Sequence, residues 1–296
     1  MSKRFFDTTI IEKLRNGEKV CAAWGQLGSN ISAEIMAEAG FDMIVFDMEH
    51  AQITLPQLVS MIQGLKGTDC IPIVRAPWND MVWCKHILDT GAYGIHVPYV
   101  STKEEAENAV KFCKYPLQGV RGLAGSPRAT NFGMNKDDYF PRANRDTLVI
   151  VAIETPTGVA NIKEIASVEG VDGIFIGPMD LATSMGHLAN PAHPEVQEAI
   201  RKIEEVVLPS DKFLATLAPN AEAAKKFGGD AEKYFTATPS MDKVKILGCR
   251  TNKDNNEAPI IDLEVPAVPN AMITIEFKAP DPAPEKWVID SITVKN

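Results

Sequence analysis

The chain has 296 residues, 45% of them hydrophobic, which suffices for one large α/β barrel or two smaller domains. Its 30 Lys and Arg against 39 Asp and Glu give a net charge of −9, with no positive cluster to serve a nucleic-acid surface. No apolar run can span a bilayer, the opening MSKRFFDTTIIEKLRNG lacks the apolar core of a signal peptide, and five scattered cysteines without a C-x-x-C pair read as reduced thiols in a cytoplasmic protein.

In chain order, Ile10–Leu14 suits a short helix and Val20–Trp24 a first strand. Residues 30–40, NISAEIMAEAG, suit a helix with an Asn or Ser cap and a Gly stop. Met43–Asp47 is a second predicted strand, Leu55–Lys66 a helix and Ile71–Arg75 a third strand. A helix over Met81–Thr90, a strand over Gly94–Pro98 and a helix over Lys103–Cys113 follow. Tyr115–Arg145 is rich in Gly, Pro, Asn and Arg and reads as a long loop, a feature that is usually functional inside a compact domain. Leu148–Ile153 and Gly173–Ile176 are the fifth and sixth strands, with a helix-like segment between them. Pro194–Val207 is a helix, Phe213–Leu217 a seventh strand, Ala221–Phe227 a helix and Tyr234–Thr238 an eighth strand.

Eight strands alternating with helices over roughly 240 residues predict a closed (β/α)8 TIM barrel. An open doubly wound sheet is the alternative, but no G-x-G-x-x-G follows the first strand and there is no P-loop. The tail differs: repeated Pro and the alternating ITIEFK at 273–278 predict short strands, with 251–257 as a linker. We therefore divide the chain into a barrel domain, 1–247, and a linker with a β-rich C-terminal extension, 248–296.

Polar residues close four of the apolar strands: His50, Arg75, Glu154 and Asp180. Barrel active sites lie at the C-terminal strand ends, so these residues are expected to converge. Glu154 and Asp180 end two strands of one βαβ unit, and paired carboxylates there suit a hard divalent cation. The plainer alternative is that both acids cap the helices that follow. Asp47 and Glu49 are either partners that orient metal-bound water or ordinary strand-end acids. Arg121 and Arg128 fit a loop salt bridge better than a substrate contact; His86, His96, Trp78 and Trp83 read as packing residues. No lysine stands at an apolar strand end to suggest a Schiff base.

The segments FDMIVFDMEH (41–50), VRAPWND (74–80), LDTG (88–91), GVRG (119–122), Ile153-Glu154 and GVDGIFIGPMDL (170–181) together resemble the HpcH/HpaI aldolases, in particular the 2-dehydro-3-deoxyglucarate and 4-hydroxy-2-oxoheptanedioate group. The resemblance runs from Phe5 to Phe227. It implies a class II aldolase, dependent on Mg²⁺ or Mn²⁺, that cleaves 4-hydroxy-2-oxo acids to pyruvate and an aldehyde and works as a homo-oligomer on a small-molecule 2-oxo acid. By that resemblance, Glu154 and Asp180 are the metal ligands. Arg75 binds the pyruvate carbonyl oxygen, His50 is the general base in a dyad with Asp89, and Gly177, Pro178 and Met179 hold the pyruvate carboxylate through their backbone. Retro-aldol chemistry needs a proton acceptor and a sink for enolate charge, which His50, Arg75 and a divalent cation would supply.

Three departures from the family pattern stand out. Ala152 occupies a position where the family usually has Gln, the residues around the eighth strand lack the usual glycine-rich pattern, and the tail has no counterpart of the final helix. An oxaloacetate-type decarboxylase or other C–C lyase is the alternative activity; a degenerate barrel acting as a binding or assembly protein is the alternative of another class.

Overall fold

The computed structural model describes residues 7–218 and the strand segments 245–252, 258–264, 272–278 and 288–295. The predicted helix 221–227 and eighth strand 234–238 lie outside the described residues. Helix α1 (Thr9–Arg15) opens the chain, followed by β1 (Ala22–Gly25), α2 (Asn30–Glu38), β2 (Met43–Asp47), α3 (Leu55–Gly64), β3 (Ile71–Arg75), α4 (Met81–Asp89), β4 (Gly94–Val97) and α5 (Lys103–Cys113). After α6 (Lys136–Asp146) come β5 (Leu148–Ile153), α7 (Pro156–Ala160), α8 (Ile162–Ala166), β6 (Gly173–Ile176), α9 (Pro178–Ser184), α10 (Pro194–Val207) and β7 (Phe213–Thr216).

The seven strands pair in the order β1-β2-β3-β4-β5-β6-β7, every neighbour parallel. A doubly wound sheet would reverse its strand order at a switch point. Here the order never reverses, and the result is a curled, barrel-like sheet with helices in its crossovers. Side chains read in chain order start the helices: Ser29, Thr54, Asp80, Thr102 and Thr155 each accept a first-turn backbone N–H, and Thr54 and Thr102 complete capping boxes with Gln57 and Glu105. Among the described residues, no helix is long and apolar enough to cross a membrane.

The central strands β2 to β6 are buried along their whole length, as parallel strands covered on both faces must be. Alternate residues belong to two separate cores. Ile44, Phe46, Val74, Ile95, Val97, Val149, Val151, Ile153, Ile174 and Ile176 pack among the helices. Met43, Val45, Ile71, Ile73, Ile150, Ala152 and Phe175 pack against one another on the opposite, inner face. This period of two carries an address: two residues beyond Val45, Ile73 and Ala152 stand Asp47, Arg75 and Glu154.

The segment read as a loop over Tyr115–Arg145 is corrected by a 3₁₀ turn at Arg128–Thr130 and by α6. Pro141 inside α6 argues against a helix on local grounds. Contacts distant in sequence outweigh it. Lys114 Nζ donates to the carbonyls of Asn144 and Thr147, both at 2.7 Å, and the Asn144 amide exchanges hydrogen bonds with the Tyr115 backbone at 2.7 and 3.0 Å.

The chain divides into two compact units, 1–229 and 230–296. The second holds a four-stranded antiparallel sheet of β8 (Lys245–Asn252), β9 (Ala258–Glu264), β10 (Met272–Lys278) and β11 (Val288–Lys295), paired in the order β11-β10-β9-β8. Thr251 and Asn252, assigned to a linker on sequence, are part of β8, and the remainder of that linker, 253–257, lies outside the described residues.

Candidate active site

Asp47 and Arg75 are register partners at the ends of β2 and β3, on the inner face. Arg75 Nε donates to Asp47 Oδ1 at 2.9 Å and its Nη2 to Oδ2 at 2.7 Å, a bidentate pair with Asp47 0% exposed. Gln26 Nε2 and the backbone N–H groups of Glu49 and His50 also donate to this carboxylate. Burial pushes the Asp47 carboxyl up, but the hydrogen bonds from Arg75 and Gln26 overcome it and hold the group at about 2. The guanidinium carbon lies 4.6 Å from the centre of the Trp24 ring, which fixes the cation from the other side. Burial pulls the Arg75 pKa down and the bond to Asp47 more than restores it. Arg75 is thus a positive charge locked at a strand end.

Glu154 follows β5 and is 1% exposed. The next residue, Thr155, caps α7 through its own hydroxyl, and α9 starts without a side-chain cap, so neither Glu154 nor Asp180 serves as a helix cap. Glu154 Oε2 accepts the Tyr99 backbone N–H at 2.8 Å. Tyr99 reaches that position with φ at 55°, in the left-handed region that costs a non-glycine residue about 1–3 kcal/mol. Burial, and then the charges of Asp180, Glu154 and Glu49, raise the Tyr99 phenol, so this tyrosine stands beside both acids expected to bind metal. Asp180 lies in the first turn of α9, and Ser184 Oγ at the end of that helix donates to the Glu154 carbonyl at 2.7 Å.

Gly177 lies directly against this carboxyl. A Cβ built there would stand 2.5 Å from Glu154 Oε1 and 2.6 Å from its Cγ. Since Tyr99 holds Glu154 from the other side, Gly177→Ala is expected to displace the carboxyl and weaken divalent-cation affinity by about 10–100-fold, with the fold retained. Cation titration alongside circular dichroism checks this; wild-type affinity would mean that Glu154 has room to move. Pro178 has no N–H to offer a carboxylate. The donors available beside it are those of Met179 and Asp180, in the first turn of α9.

Glu49 Oε2 is buried, takes no hydrogen bond among the described residues, and lies 3.0 Å from Arg75 Nη1 as an ion pair. Burial outweighs Arg75 and lifts this carboxyl to about 7. Burial lifts Glu154 to about 7 as well, opposed by the Tyr99 N–H and reinforced by the charges of Glu49 and Asp180. The His50 side chain is 56% exposed, with Nε2 3.7 Å from Glu49 Oε2. Asp89 is elsewhere engaged: its Oδ1 accepts from Arg121 Nη2 at 2.9 Å, and among the described residues no hydrogen bond or ion pair joins it to His50. Arg121 is buried with its guanidinium over the Tyr115 ring, in a structural ion pair.

The set fits a divalent cation. Glu154, Asp180 and Glu49 bring acidic charge together beside Arg75, and Glu49 and Glu154 are pushed towards neutrality by burial and by the neighbouring carboxylates. Glu49 Oε2, ion-paired with Arg75 but without a hydrogen bond among the described residues, and the all-oxygen donor set suit a hard cation.

Some residues at this edge escaped the sequence reading. Tyr99 carried no signal beyond the preceding Pro98, because its role depends on one backbone dihedral. Trp78, read as packing, is 57% exposed and stacks on Tyr99 with ring centres 6.1 Å apart. His86 is exposed on α4 and not a packing residue. His96 is buried between Trp24 and Phe175 beneath Arg75, and burial followed by the Arg75 charge lowers it to about 3, a neutral packing imidazole.

Residues 22–239 match the family model described as HpcH/HpaI aldolase/citrate lyase. The 5-keto-4-deoxy-D-glucarate aldolase of Escherichia coli O139:H28 (strain E24377A / ETEC) is 43% identical over 204 residues, covering 69% of this chain and 79% of that protein. Among solved structures, an HpcH/HpaI aldolase/citrate lyase family protein from Burkholderia cenocepacia J2315 is 33% identical with a TM-score of 0.72, over 75% of this chain and 89% of its own. The citrate synthase SbnG is 31% identical with a TM-score of 0.67, over 75% of this chain and 86% of its own. With its strand-end carboxylates and locked arginine, this chain belongs to the HpcH/HpaI aldolase/citrate lyase family and is a class II aldolase, a carbon–carbon lyase.

Proposed function

We propose that the enzyme cleaves 4-hydroxy-2-oxo acids derived from sugar acids, of the 5-keto-4-deoxy-D-glucarate type, into pyruvate and an aldehyde. The observation that carries this reading is the meeting of Arg75, Glu154, Asp180 and Glu49 at one strand-end edge, with Gly177 against the Glu154 carboxyl. Glu154 and Asp180 would hold Mg²⁺ or Mn²⁺, hard cations matched to oxygen donors. When bound, the cation supplies a Lewis acid for the charge that develops on the 2-oxo group.

The chain's own residues do the rest. His50, exposed and with its Nε2 near Glu49, takes the proton from the C4 hydroxyl. The C3–C4 bond breaks, the aldehyde leaves, and the electron pair passes into the pyruvate enolate. Arg75, already fixed by Asp47 and Trp24, stabilises that enolate without reorganising. Protonation at C3 completes pyruvate. The N–H groups of Met179 and Asp180, beside Gly177, suit the substrate carboxylate. The scheme does not call on Asp89, whose Oδ1 accepts from Arg121 within the chain.

Oxaloacetate decarboxylation is a second reading, favoured by the fixed Arg75: it generates the same enolate by losing CO₂ and needs no hydroxyl base. A closed barrel, a homo-oligomeric assembly and a cytoplasmic setting complete the proposal, the last supported by Cys21, Cys70, Cys84 and Cys113, which are free thiols among the described residues.

The test is pyruvate release from a panel of 4-hydroxy-2-oxo acids with and without chelator. Release from 5-keto-4-deoxy-D-glucarate, abolished by chelator and restored by Mg²⁺ or Mn²⁺, is expected. Full activity in a metal-free preparation, or no pyruvate from any member of the panel, would overturn the reading.

A further inference from the structure

Between α9 and α10 the chain folds back so that His187, His193 and Glu195 meet. One ligand atom of each lies within 4.8 Å of the others. His187 Nε2 is 2.8 Å from Glu195 Oε2, and the two imidazoles stack with ring centres 3.5 Å apart and planes 15° from parallel. His193 precedes α10 and accepts the Glu195 N–H at Nδ1, 3.3 Å away. The backbone that carries them is itself tied down. His187 N–H donates to the Ala182 carbonyl at 2.8 Å, Asn190 N–H to His187 at 2.9 Å, His193 N–H to Asn190 at 3.1 Å, and Gln197 Nε2 to Pro191 at 2.8 Å. The three side chains are therefore brought together by a fixed main chain.

We infer that His187, His193 and Glu195 form a second metal site, selective for a borderline transition cation of the Zn²⁺, Co²⁺ or Ni²⁺ class. Two imidazoles and one carboxylate are an established donor set for zinc and leave one position to water. The site shares no residue with the all-oxygen cluster of Glu154 and Asp180, and its nitrogen donors give it the opposite preference between hard and borderline cations. On binding, the cation takes the place of the proton between His187 Nε2 and Glu195 Oε2, and His187 carries its proton at Nδ1 instead, so the imidazole stays neutral. The half-buried imidazoles turn about their Cβ–Cγ bonds to aim their lone pairs towards the exposed Glu195. The long hydrogen bond at His193 Nδ1 is the contact given up. A cation there clasps the loop after α9 to the first turn of α10. It acts on stability at this junction and takes no part in carbon–carbon cleavage.

The full chain, stripped with chelator, is titrated with Zn²⁺ by calorimetry and with Co²⁺ by visible absorption. Wild type is expected to bind two equivalents of Zn²⁺, and a Glu154→Gln/Asp180→Asn variant to keep one, with the Co²⁺ bands of a nitrogen-containing site and a rise in Tm on adding Zn²⁺. A His187→Ala/His193→Ala variant should lose one equivalent, those bands and that rise in Tm, while keeping Mg²⁺-supported cleavage. Glu195→Gln, which changes one exposed atom, gives the same readout should the double variant misfold. Unchanged Zn²⁺ stoichiometry in the histidine or Glu195 variant, or no Zn²⁺ bound by Glu154→Gln/Asp180→Asn, would overturn the inference.

Discussion

Arg75→Ala is expected to slow aldol cleavage and oxaloacetate decarboxylation alike, each by about 10²–10³-fold in kcat. Both reactions pass through the pyruvate enolate, and Arg75 is the only fixed side-chain cation among the described residues seen to bear on this carboxylate cluster. His50→Ala should separate the two reactions. Cleavage needs a base for the hydroxyl proton and should fall by about 10²–10⁴-fold. Decarboxylation expels CO₂ without that proton transfer and should survive far better. Arg75→Lys keeps the charge but loses the fork that grips Asp47, so it should recover only part of either activity. The measurement is the ratio of the two rates in each variant. Equal loss of both in a folded, metal-loaded His50→Ala protein would make His50 a binding residue, and a selective loss of cleavage in Arg75→Ala would remove the enolate role from Arg75.

The largest effect on stability is expected from Asp47→Asn, about 3–5 kcal/mol by urea unfolding, because it leaves the Arg75 guanidinium buried without its bidentate partner. Glu49 at 3.0 Å retains part of the interaction and sets the expected value at the lower end. The same carboxylate governs acid sensitivity. Its folded-state pKa, about 2, lies below the unfolded value of about 3.9. Its contribution is therefore complete above pH ~4 and lost as pH falls from ~4 through ~2. Glu49 and Glu154 work in the other sense. Their folded values, near 7, are raised above the unfolded one, so they favour the folded state at low pH and that advantage is lost as pH rises through 7. Metal-free protein should accordingly be most stable near pH 4–5, and a divalent cation should restore the stability lost on the alkaline side. In Asp47→Asn the acid limb of the profile should flatten. An unchanged limb would show that other groups control acid unfolding.

The order of strands and helices was legible because it is written locally. Apolar runs such as Leu148–Ile153, closed by turn residues, specify buried strands whatever surrounds them, and the limits of α5 and α10 coincide with their sequence patterns. The strand-end positions of Arg75 and Glu154 and the meeting of Glu154 with Asp180 followed from the same pattern. Which acid partners which base was not local. Asp47 takes Arg75 because the two are register partners on the inner face, and Asp89 takes Arg121 because α4 lies within reach of the returning segment. Tyr99 meets Glu154 only because the fold holds its φ at 55° and aims its N–H at that carboxyl. Helix α6 formed despite Pro141 and a loop-like composition, because Lys114 and Tyr115 anchor its end to the start of β5. Periodicity records how each segment meets its own neighbours along the chain. Pairing across the sheet depends on register and distance, and these are fixed only when segments far apart in sequence pack together.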